Sequence, residues 1–238
     1  MKIEIVAHRG HAGVFPENTM EAFRRSVALR ADSIELDIHH SREGVPVVIH
    51  DDTMDRTTTV TGSVRSLSVS QIQAADAGSK FKSEFSGCNV PLLEEALKLC
   101  QDCEAGLQLE IKEQINEDEA RALLHLLSVY DMSKRTMIIS FYKQNLDLLR
   151  RLDADIELGF LTTEPIELDS LVPLAPSCLC AHYPLLLKHP ELIKQARGLN
   201  VDVAVWTIRD IETAKQLVKL GVYRLTSDIP LNHQELQL

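Results

Sequence analysis

The sequence lacks an apolar run long enough to span a bilayer, which takes about 20 consecutive apolar residues. Its opening residues, MKIEIVAHRG, contain neither the apolar core nor the small-residue cleavage site of a signal peptide. We therefore expect a cytoplasmic protein that does not insert into a membrane. The chain also lacks internal repeats, low-complexity tracts and interdomain linkers, so we expect a single domain over residues 1–238.

Positive charge is also in short supply. Lys and Arg number 25 against 35 Asp and Glu, which gives a formal net charge of −10. Such a surface argues against a broad basic patch for nucleic acid or for an anionic membrane. A few cations can still gather around a phosphate in one pocket, so a small anionic ligand remains compatible with the composition.

Cysteine is scarce as well, with five residues in 238, an odd number that favours reduced thiols. Cys100 and Cys103 have the spacing of half a zinc or redox site. No second pair accompanies them, and they lie within a helical pattern, so we do not expect a metal there.

What the chain does contain is ordinary globular composition, with 45% hydrophobic residues, at a length typical of a (β/α)8 barrel. Short β-rich runs alternate with amphipathic helical runs, which is typical of βαβ units in a parallel sheet. This pattern predicts an α/β fold, a TIM (β/α)8 barrel. The predicted barrel strands are 3–8, 33–38, 106–111, 135–140, 156–161, 177–182, 201–207 and 223–227.

One connection differs from the βαβ pattern. Twelve residues separate Asp37 from His50, too few for a helical crossover but enough for a hairpin that turns at 42–44. The two arms are equally long, so His50 is expected to return to the height of Asp37. We expect His39 and His40, within this hairpin, to lie on a solvated surface.

Residues 53–89 are rich in Thr, Ser and Gly and have few barrel signals. We interpret them as a small insertion above the C-terminal mouth of the barrel. In the helical run at 17–30 that follows the first strand, Asn18 or Thr19 is a plausible N-cap.

Charged residues cluster at the C-terminal ends of two predicted strands, where TIM-barrel active sites form. Glu35 and Asp37 share one face of their strand, as do Glu110 and Lys112. Three converging carboxylates are suitable ligands for one divalent cation, Mg²⁺ or Ca²⁺. A network of salt bridges with Arg9 and Lys112 is an equal alternative on pattern alone.

Two histidines also lie at strand ends: His8 after the first strand and His50 after the hairpin. Two imidazoles can act as general base and general acid near neutral pH. Arg9 can bind phosphate oxygens through two nitrogens, and Lys112 can add a point charge. Together with a metal, these groups suit phosphodiester cleavage better than sugar or carbonyl chemistry.

An ordered set of motifs resembles the glycerophosphodiester phosphodiesterase family from residue 8 to about residue 230. A lone HRG is weak evidence, but the set of HRG, ENT, ExD, HD and EIK in this order is specific. In chain order the matching segments are His8-Arg9-Gly10, Pro16-Glu17-Asn18-Thr19, Ala22-Phe23, Glu35-Leu36-Asp37, Val48-Ile49-His50-Asp51, Pro91-Leu92-Leu93-Glu94-Glu95, Glu110-Ile111-Lys112, Ser140-Phe141, Val205-Trp206-Thr207 and Thr226-Ser227-Asp228.

The resemblance implies a metal-dependent hydrolase on a TIM barrel whose insertion shields the site. It implies hydrolysis of glycerophosphodiesters, such as glycerophosphocholine and glycerophosphoethanolamine, to glycerol 3-phosphate and an alcohol, a step in lipid and glycerol metabolism. The roles that it implies are metal ligation by Glu35, Asp37 and Glu110, acid–base catalysis by His8 and His50, and phosphate binding by Arg9 and Lys112.

Further residues have roles that stay open. Phe141 and Trp206 could form an apolar wall for glycerol or belong to the upper barrel core. Glu17 could support Arg9 or be an acidic first-turn residue that suits the helix dipole. The sequence departs from the family at Arg209, where Asn is usual, and in the spread Thr226-Ser227-Asp228 segment. We expect neither departure to touch the proposed catalytic set.

Two other functions compete with hydrolysis of a small glycerophosphodiester. A lysophospholipase D-like activity needs an apolar groove, and the insertion contains Phe81 and Phe85 but is mostly polar. A phosphate-binding protein without catalysis would be favoured by loss of a catalytic histidine or metal carboxylate, and all are present.

Overall fold

A computed structural model describes residues 2–236. Within this range, strands and helices alternate along the chain, and none of these helices is long and apolar enough to cross a membrane. The strands are β1 (Glu4–Ala7), β2 (Ser33–His40), β3 (Pro46–Val48), β4 (Gly106–Ile111), β5 (Thr136–Ser140), β6 (Glu157–Thr162), β7 (Ser177–His182), β8 (Asp202–Ile208) and β9 (Arg224–Ser227). The α-helices are α1 (Met20–Ala28), α2 (Val69–Gln73), α3 (Leu93–Asp102), α4 (Glu117–Val129), α5 (Lys143–Leu152), α6 (Tyr183–Lys188), α7 (Glu191–Gly198), α8 (Ile211–Lys219) and α9 (His233–Leu236).

Eight parallel strands close into a ring. Their order is β1, β9, β8, β7, β6, β5, β4 and β2, and β1 pairs with β2 to complete the circle. The remaining strand, β3, pairs antiparallel with β2 as the return arm of a hairpin. The fold is a TIM barrel, as the sequence predicts.

The alternation of side chains along β2 shows how the sequence builds both a core and a site. Ile34, Leu36 and Ile38 pack into the apolar cluster between the strands and the helices. Glu35 and Asp37 alternate with them and point into the barrel. A parallel barrel strand is covered on both sides, which is why every residue of β2 is buried.

Helix α1 is shorter at both ends than the predicted helical run at 17–30. Its N-cap is Thr19, whose side chain accepts a hydrogen bond from the backbone N–H of Ala22. Asn18 has a positive φ of 56° and is not part of the helix. Its amide donates instead to Asp37 Oδ2 at 2.8 Å, so a predicted cap residue supports the site.

Helix α6 was not predicted; it begins at Tyr183, directly after β7, and has Pro184 in its first turn. Proline is tolerated in the first turn of a helix, where its missing N–H would have no partner. The short helix therefore begins where the strand ends, and it packs Leu185 and Leu186 into the core.

The segment between β3 and α3 has a small apolar core of its own. Met54, Val64 and Ile72 are fully buried and pack with Val47 and Ile49 of the hairpin arm. The hairpin and this segment therefore share one cluster, which fixes the segment beside the barrel mouth. The predicted limits of the insertion, 53–89, and of the domain, 1–238, stay predictions.

The prediction that His39 and His40 lie on a solvated surface is wrong. Both are buried, with 4% and 2% of their surface exposed. His40 contacts Glu113 Oε1 through Nδ1 at 2.8 Å, and His39 Nε2 lies 3.1 Å from the backbone oxygen of His50. Arg65 binds the same Glu113 carboxylate from the segment above, so residues distant in sequence cover the hairpin.

Replacing Glu113 with Gln is expected to lower the free energy of unfolding by about 1–3 kcal/mol, since His40 and Arg65 lose a charged partner in a mostly buried place. Burial raises the Glu113 pKa, but bonds from His39, His40 and Arg65 hold it well below its ordinary value. This stabilisation is therefore present at neutral pH and declines as pH falls below the ordinary glutamate pKa.

Urea denaturation of the native protein and of Glu113→Gln, at pH 7 and at pH 4, measures this effect. The matched control is Glu117→Gln, which removes an exposed helical pair with Arg121 and is expected to change stability by about 0.3–0.5 kcal/mol. Equal losses in the two variants, or a loss at Glu113 that grows as pH falls, would contradict the assignment.

Candidate active site

Three carboxylates converge at the C-terminal mouth of the barrel. Glu35 and Asp37 extend from β2, and Glu110 lies opposite Asp37 in the register of β4. One oxygen from each lies within 4.8 Å of the others, an arrangement that could hold a metal ion. The three residues are 2%, 0% and 7% exposed, so their charges need partners.

Two cations contact this triad. Lys112 Nζ lies 2.7 Å from Glu110 Oε1 and 3.6 Å from Asp37 Oδ1. Arg9 Nε lies 3.1 Å from Asp37 Oδ2, and the backbone N–H of Arg9 donates to Glu35 Oε2 at 2.8 Å. The salt bridges expected from the pattern are therefore present.

The carboxylates nevertheless outnumber the cations, and their pKa values reflect this. Burial, together with the charge of Asp37, raises the pKa of Glu110 to about 7 and that of Glu35 well above its ordinary value. Burial also raises the pKa of Asp37, but Arg9 and Lys112 outweigh it and hold that pKa below its ordinary value. The site thus carries more carboxylate than its own cations neutralise.

The residues present fit a divalent cation. Asp37 Oδ1 is a buried oxygen without a hydrogen-bond partner among residues 2–236. Such an atom is costly unless something binds it. All-oxygen ligands are those that Mg²⁺ and Ca²⁺ prefer, and a double positive charge would favour the ionised forms of Glu35 and Glu110.

His8 lies on one side of this triad. Its Nε2 lies 4.0 Å from Glu35 Oε2, and its Nδ1 donates to Asp228 Oδ1 at 2.6 Å. Asp228 follows the end of β9, and its second oxygen accepts from Arg209 Nε at 2.8 Å. Burial raises the pKa of Asp228, but His8 and Arg209 hold it below its ordinary value, so it orients the imidazole as a carboxylate.

His50 has a matching arrangement on the hairpin side. Its Nδ1 donates to Asp51 Oδ1 at 2.6 Å. Arg56 binds both oxygens of Asp51 and both oxygens of Glu17. Glu17 also accepts from Arg9 Nη1 at 3.1 Å, which is the support role anticipated for it. Each histidine therefore has a carboxylate on Nδ1, which leaves Nε2 for chemistry.

The loop after β1 positions His8 and Arg9 through an unusual backbone. Arg9 and Gly10 have positive φ values of 48° and 79°. A Cβ on Gly10 would lie 2.7 Å from the Cβ of Ala22, so only glycine lets the loop pack against α1. The HRG sequence is thus explained by a turn that directs the Arg9 N–H at Glu35.

A cavity of about 510 Å³ opens at this mouth, and Phe141 and Trp206 line it together with the polar groups. Their rings form an edge-to-face pair with centroids 5.6 Å apart. Phe141 is 43% exposed, which excludes the upper-core alternative for it. Trp206 is partly buried over the apolar cluster inside the barrel.

The expectation that neither departure touches the catalytic set is wrong for Asp228, which contacts His8, whereas Arg209 contacts Asp228. Asp228 immediately follows a strand end, so the same rule that selected Glu110 could have selected it. Arg56 has no comparable signal, because it reaches Asp51 and Glu17 from a loop in the inserted segment.

Buried carboxylates, cations and two oriented imidazoles at the mouth of a (β/α)8 barrel are suited to hydrolysis, and the comparisons show the class of enzyme. A family profile, the glycerophosphoryl diester phosphodiesterase family, matches residues 8–231. The chain belongs to this family and is an enzyme of the phosphoric diester hydrolase class.

Relatives share the fold over nearly their whole length. A glycerophosphodiester phosphodiesterase of Caldanaerobacter subterraneus subsp. tengcongensis is 32% identical over 97% of this chain and 96% of its own. A solved structure of an Oleispira antarctica phosphodiesterase with the product sn-glycerol-3-phosphate has a TM-score of 0.89 at 26% identity, covering 98% of this chain and 95% of that one. The glycerophosphodiester phosphodiesterase of Agrobacterium tumefaciens has a TM-score of 0.81 at 29% identity, with 97% of each chain covered.

Proposed function

We propose that this enzyme hydrolyses small glycerophosphodiesters, such as glycerophosphocholine and glycerophosphoethanolamine, to glycerol 3-phosphate and the free alcohol. The observation that carries the proposal is that two histidines and two carboxylates of the triad line one cavity: His8, His50, Glu35 and Glu110. The product named for the Oleispira antarctica relative is consistent with it. The cytoplasmic location stays a prediction.

The cations of the site bind the phosphate. Arg9 is the residue best suited to the phosphate oxygens, because its guanidinium presents paired donors. Lys112 adds a compact charge beside it and keeps that charge, since Asp37 and Glu110 raise its pKa despite burial. Phe141 and Trp206 form the apolar wall against which the carbon atoms of glycerol pack.

His8 and His50 transfer the protons. One imidazole takes a proton through Nε2 from the oxygen that attacks phosphorus. The other donates a proton to the alcohol oxygen as the phosphorus–oxygen bond to that alcohol breaks. Asp228 and Asp51 hold the Nδ1–H of each ring, which fixes the tautomer and the orientation for both roles.

Glu35, Asp37 and Glu110 would hold a divalent cation, Mg²⁺ or Ca²⁺. When bound, this cation would neutralise charge on the phosphoryl oxygens. Asn18 donates to Asp37 Oδ2 and thereby leaves Oδ1 free for ligation. The backbone N–H of Arg9 orients Glu35 in the same way.

Release of glycerol 3-phosphate tests the function. The purified protein is incubated with glycerophosphocholine, glycerophosphoethanolamine and lysophosphatidylcholine, each with Mg²⁺ and with Ca²⁺. Glycerol 3-phosphate and the phosphorylated alcohol, the products of cleavage on either side of phosphorus, are both measured. We expect glycerol 3-phosphate from the two glycerophosphodiesters and little turnover of the lipid, because only Phe81 of the Phe81–Phe85 pair is exposed.

Three outcomes would contradict the proposal. Formation of phosphocholine and glycerol would mean that the other phosphorus–oxygen bond breaks. Faster turnover of lysophosphatidylcholine would favour the lysophospholipase D-like alternative, and absence of turnover with every substrate and metal would favour a binding role.

A further inference from the structure

The guanidinium of Arg209 at the rim of the cavity retains unused hydrogen-bond donors. Arg209 follows β8, and its Nε donates to Asp228. Its side chain is 73% exposed, and neither terminal nitrogen has a hydrogen-bond partner among residues 2–236. The bond from Nε thus anchors the guanidinium, while its two terminal nitrogens stay available to a ligand.

The corresponding arginine on the hairpin side differs in this respect. Arg56 uses Nε and both terminal nitrogens on the carboxylates of Asp51 and Glu17. Both arginines anchor the aspartate that orients a catalytic histidine. Arg56 donates four of its five N–H groups to protein carboxylates, whereas Arg209 can bind a further anion without giving up its anchor.

The surroundings of Arg209 favour an anion from the substrate. Arg209 lines the same cavity as Trp206 and His8, and Asp228 is the carboxylate that contacts it in the described chain. Burial lowers the pKa of the neighbouring His182, and the charge of Arg209 lowers it further, which favours the neutral imidazole beside this guanidinium. A cavity of about 510 Å³ leaves room for a substituent between the phosphate site and this rim.

We propose that Arg209 is a specificity residue that binds a carboxylate on the alcohol part of the substrate, so that glycerophosphoserine is a preferred glycerophosphodiester. The fork of a guanidinium matches a carboxylate in geometry as well as charge. The proposal rests on the proposed function, since the phosphodiester must lie in this cavity for its alcohol to reach the rim.

Glycerophosphoserine and glycerophosphoethanolamine differ only by the carboxylate, which makes them a matched pair of substrates. The measured quantity is the ratio of their kcat/KM values in the native protein, in Arg209→Gln and in Arg209→Lys. We expect a ratio above one for the native protein, about five- to tenfold lower in Arg209→Gln. Arg209→Lys is expected to be intermediate, because it keeps the charge but loses the fork.

The ratio of the two kcat/KM values separates recognition of the carboxylate by Arg209 from an effect of Arg209 on the position of His8. Any effect of Arg209 on His8 through Asp228 applies to both substrates and cancels. The control is Arg151→Gln, which removes one exposed positive charge near the end of α5, at the opposite end of the barrel. Its ratio is expected to equal that of the native protein.

A binding measurement makes the test independent of turnover. Trp206 is the single tryptophan and lines the same cavity, so its fluorescence reports ligand binding. Titration in EDTA gives the ratio of the two dissociation constants, which is expected to change in Arg209→Gln as the kinetic ratio does. A native ratio of one, or equal losses for both compounds in Arg209→Gln, would overturn the proposal. If the native protein turned over no glycerophosphodiester, the proposed function would fail, and the fluorescence ratio would still decide whether Arg209 selects the carboxylate.

Discussion

Replacing His50 or His8 with alanine is expected to lower kcat by about 10²–10⁴-fold while the protein stays folded. Each imidazole has its Nδ1 held by a carboxylate at 2.6 Å and lines the cavity together with Glu35 and Glu110. Neither ring is part of the apolar clusters that stabilise the barrel. Loss of activity therefore reflects loss of proton transfer rather than of structure.

The measurement is steady-state release of glycerol 3-phosphate together with the thermal unfolding midpoint. His125→Ala serves as the control, since it makes the same substitution on the exposed face of α4. Near-native turnover in His8→Ala or in His50→Ala would overturn the acid–base assignment. A large fall in the unfolding midpoint would mean that the loss of activity is structural.

Asp228→Asn gives a graded version of the same test. The amide keeps the size of the carboxylate but removes the charge that favours an Nδ1–H, so His8 can adopt the wrong tautomer. We expect a loss of kcat smaller than that of His8→Ala, with KM changed little. A loss confined to KM would instead assign Asp228 to substrate binding.

The main features of this site could be predicted because they depend on local rules. Alternation within β2 places Glu35 and Asp37 on one face, and the parallel register brings Glu110 beside them. The hairpin prediction also agrees with the structure, since the N–H of Ile49 donates to the backbone oxygen of Asp37. Spacing and the rule for barrel mouths were sufficient for these residues.

The pairings of Asp228 with His8 and of Arg56 with Glu17 could not be predicted in this way, because they depend on long-range contacts. Asp228 is 220 residues from His8, and Arg56 is 39 residues from Glu17. His39 and His40 were misjudged for the same reason, since Glu113 reaches them from the loop after β4. Sequence neighbours indicate which face a side chain takes, but not what covers that face.

Removal of divalent cations is expected to abolish turnover, and addition of Mg²⁺ or Ca²⁺ after chelation is expected to restore it. Glu35, Asp37 and Glu110 exceed Arg9 and Lys112 in charge, and Asp37 Oδ1 lacks a hydrogen-bond partner. A cation that binds only the folded protein also stabilises it, by about 2.7 kcal/mol at a concentration 100 times its Kd. The unfolding midpoint is therefore expected to rise with metal concentration, whether or not substrate is present.

Protonation of Glu110 is expected to weaken the stabilisation by the cation as pH falls. Burial and Asp37 raise the pKa of Glu110 to about 7, so below that pH a proton competes with the cation for the same oxygens. The rise in the unfolding midpoint is then larger at pH 8 than at pH 6. Asp37→Asn is expected to abolish the rise at both pH values, whereas Asp118→Asn, an exposed carboxylate on α4, leaves it unchanged.

These measurements separate the two interpretations that the pattern of charges left equal. If the carboxylates served only as salt-bridge partners of Arg9 and Lys112, EDTA would not affect turnover and metal would not shift the unfolding midpoint. The salt bridges in the structure do not exclude a metal, because they account for two charges among three carboxylates. A midpoint that rises with metal in the native protein but not in Asp37→Asn would assign the remaining charge to a bound cation.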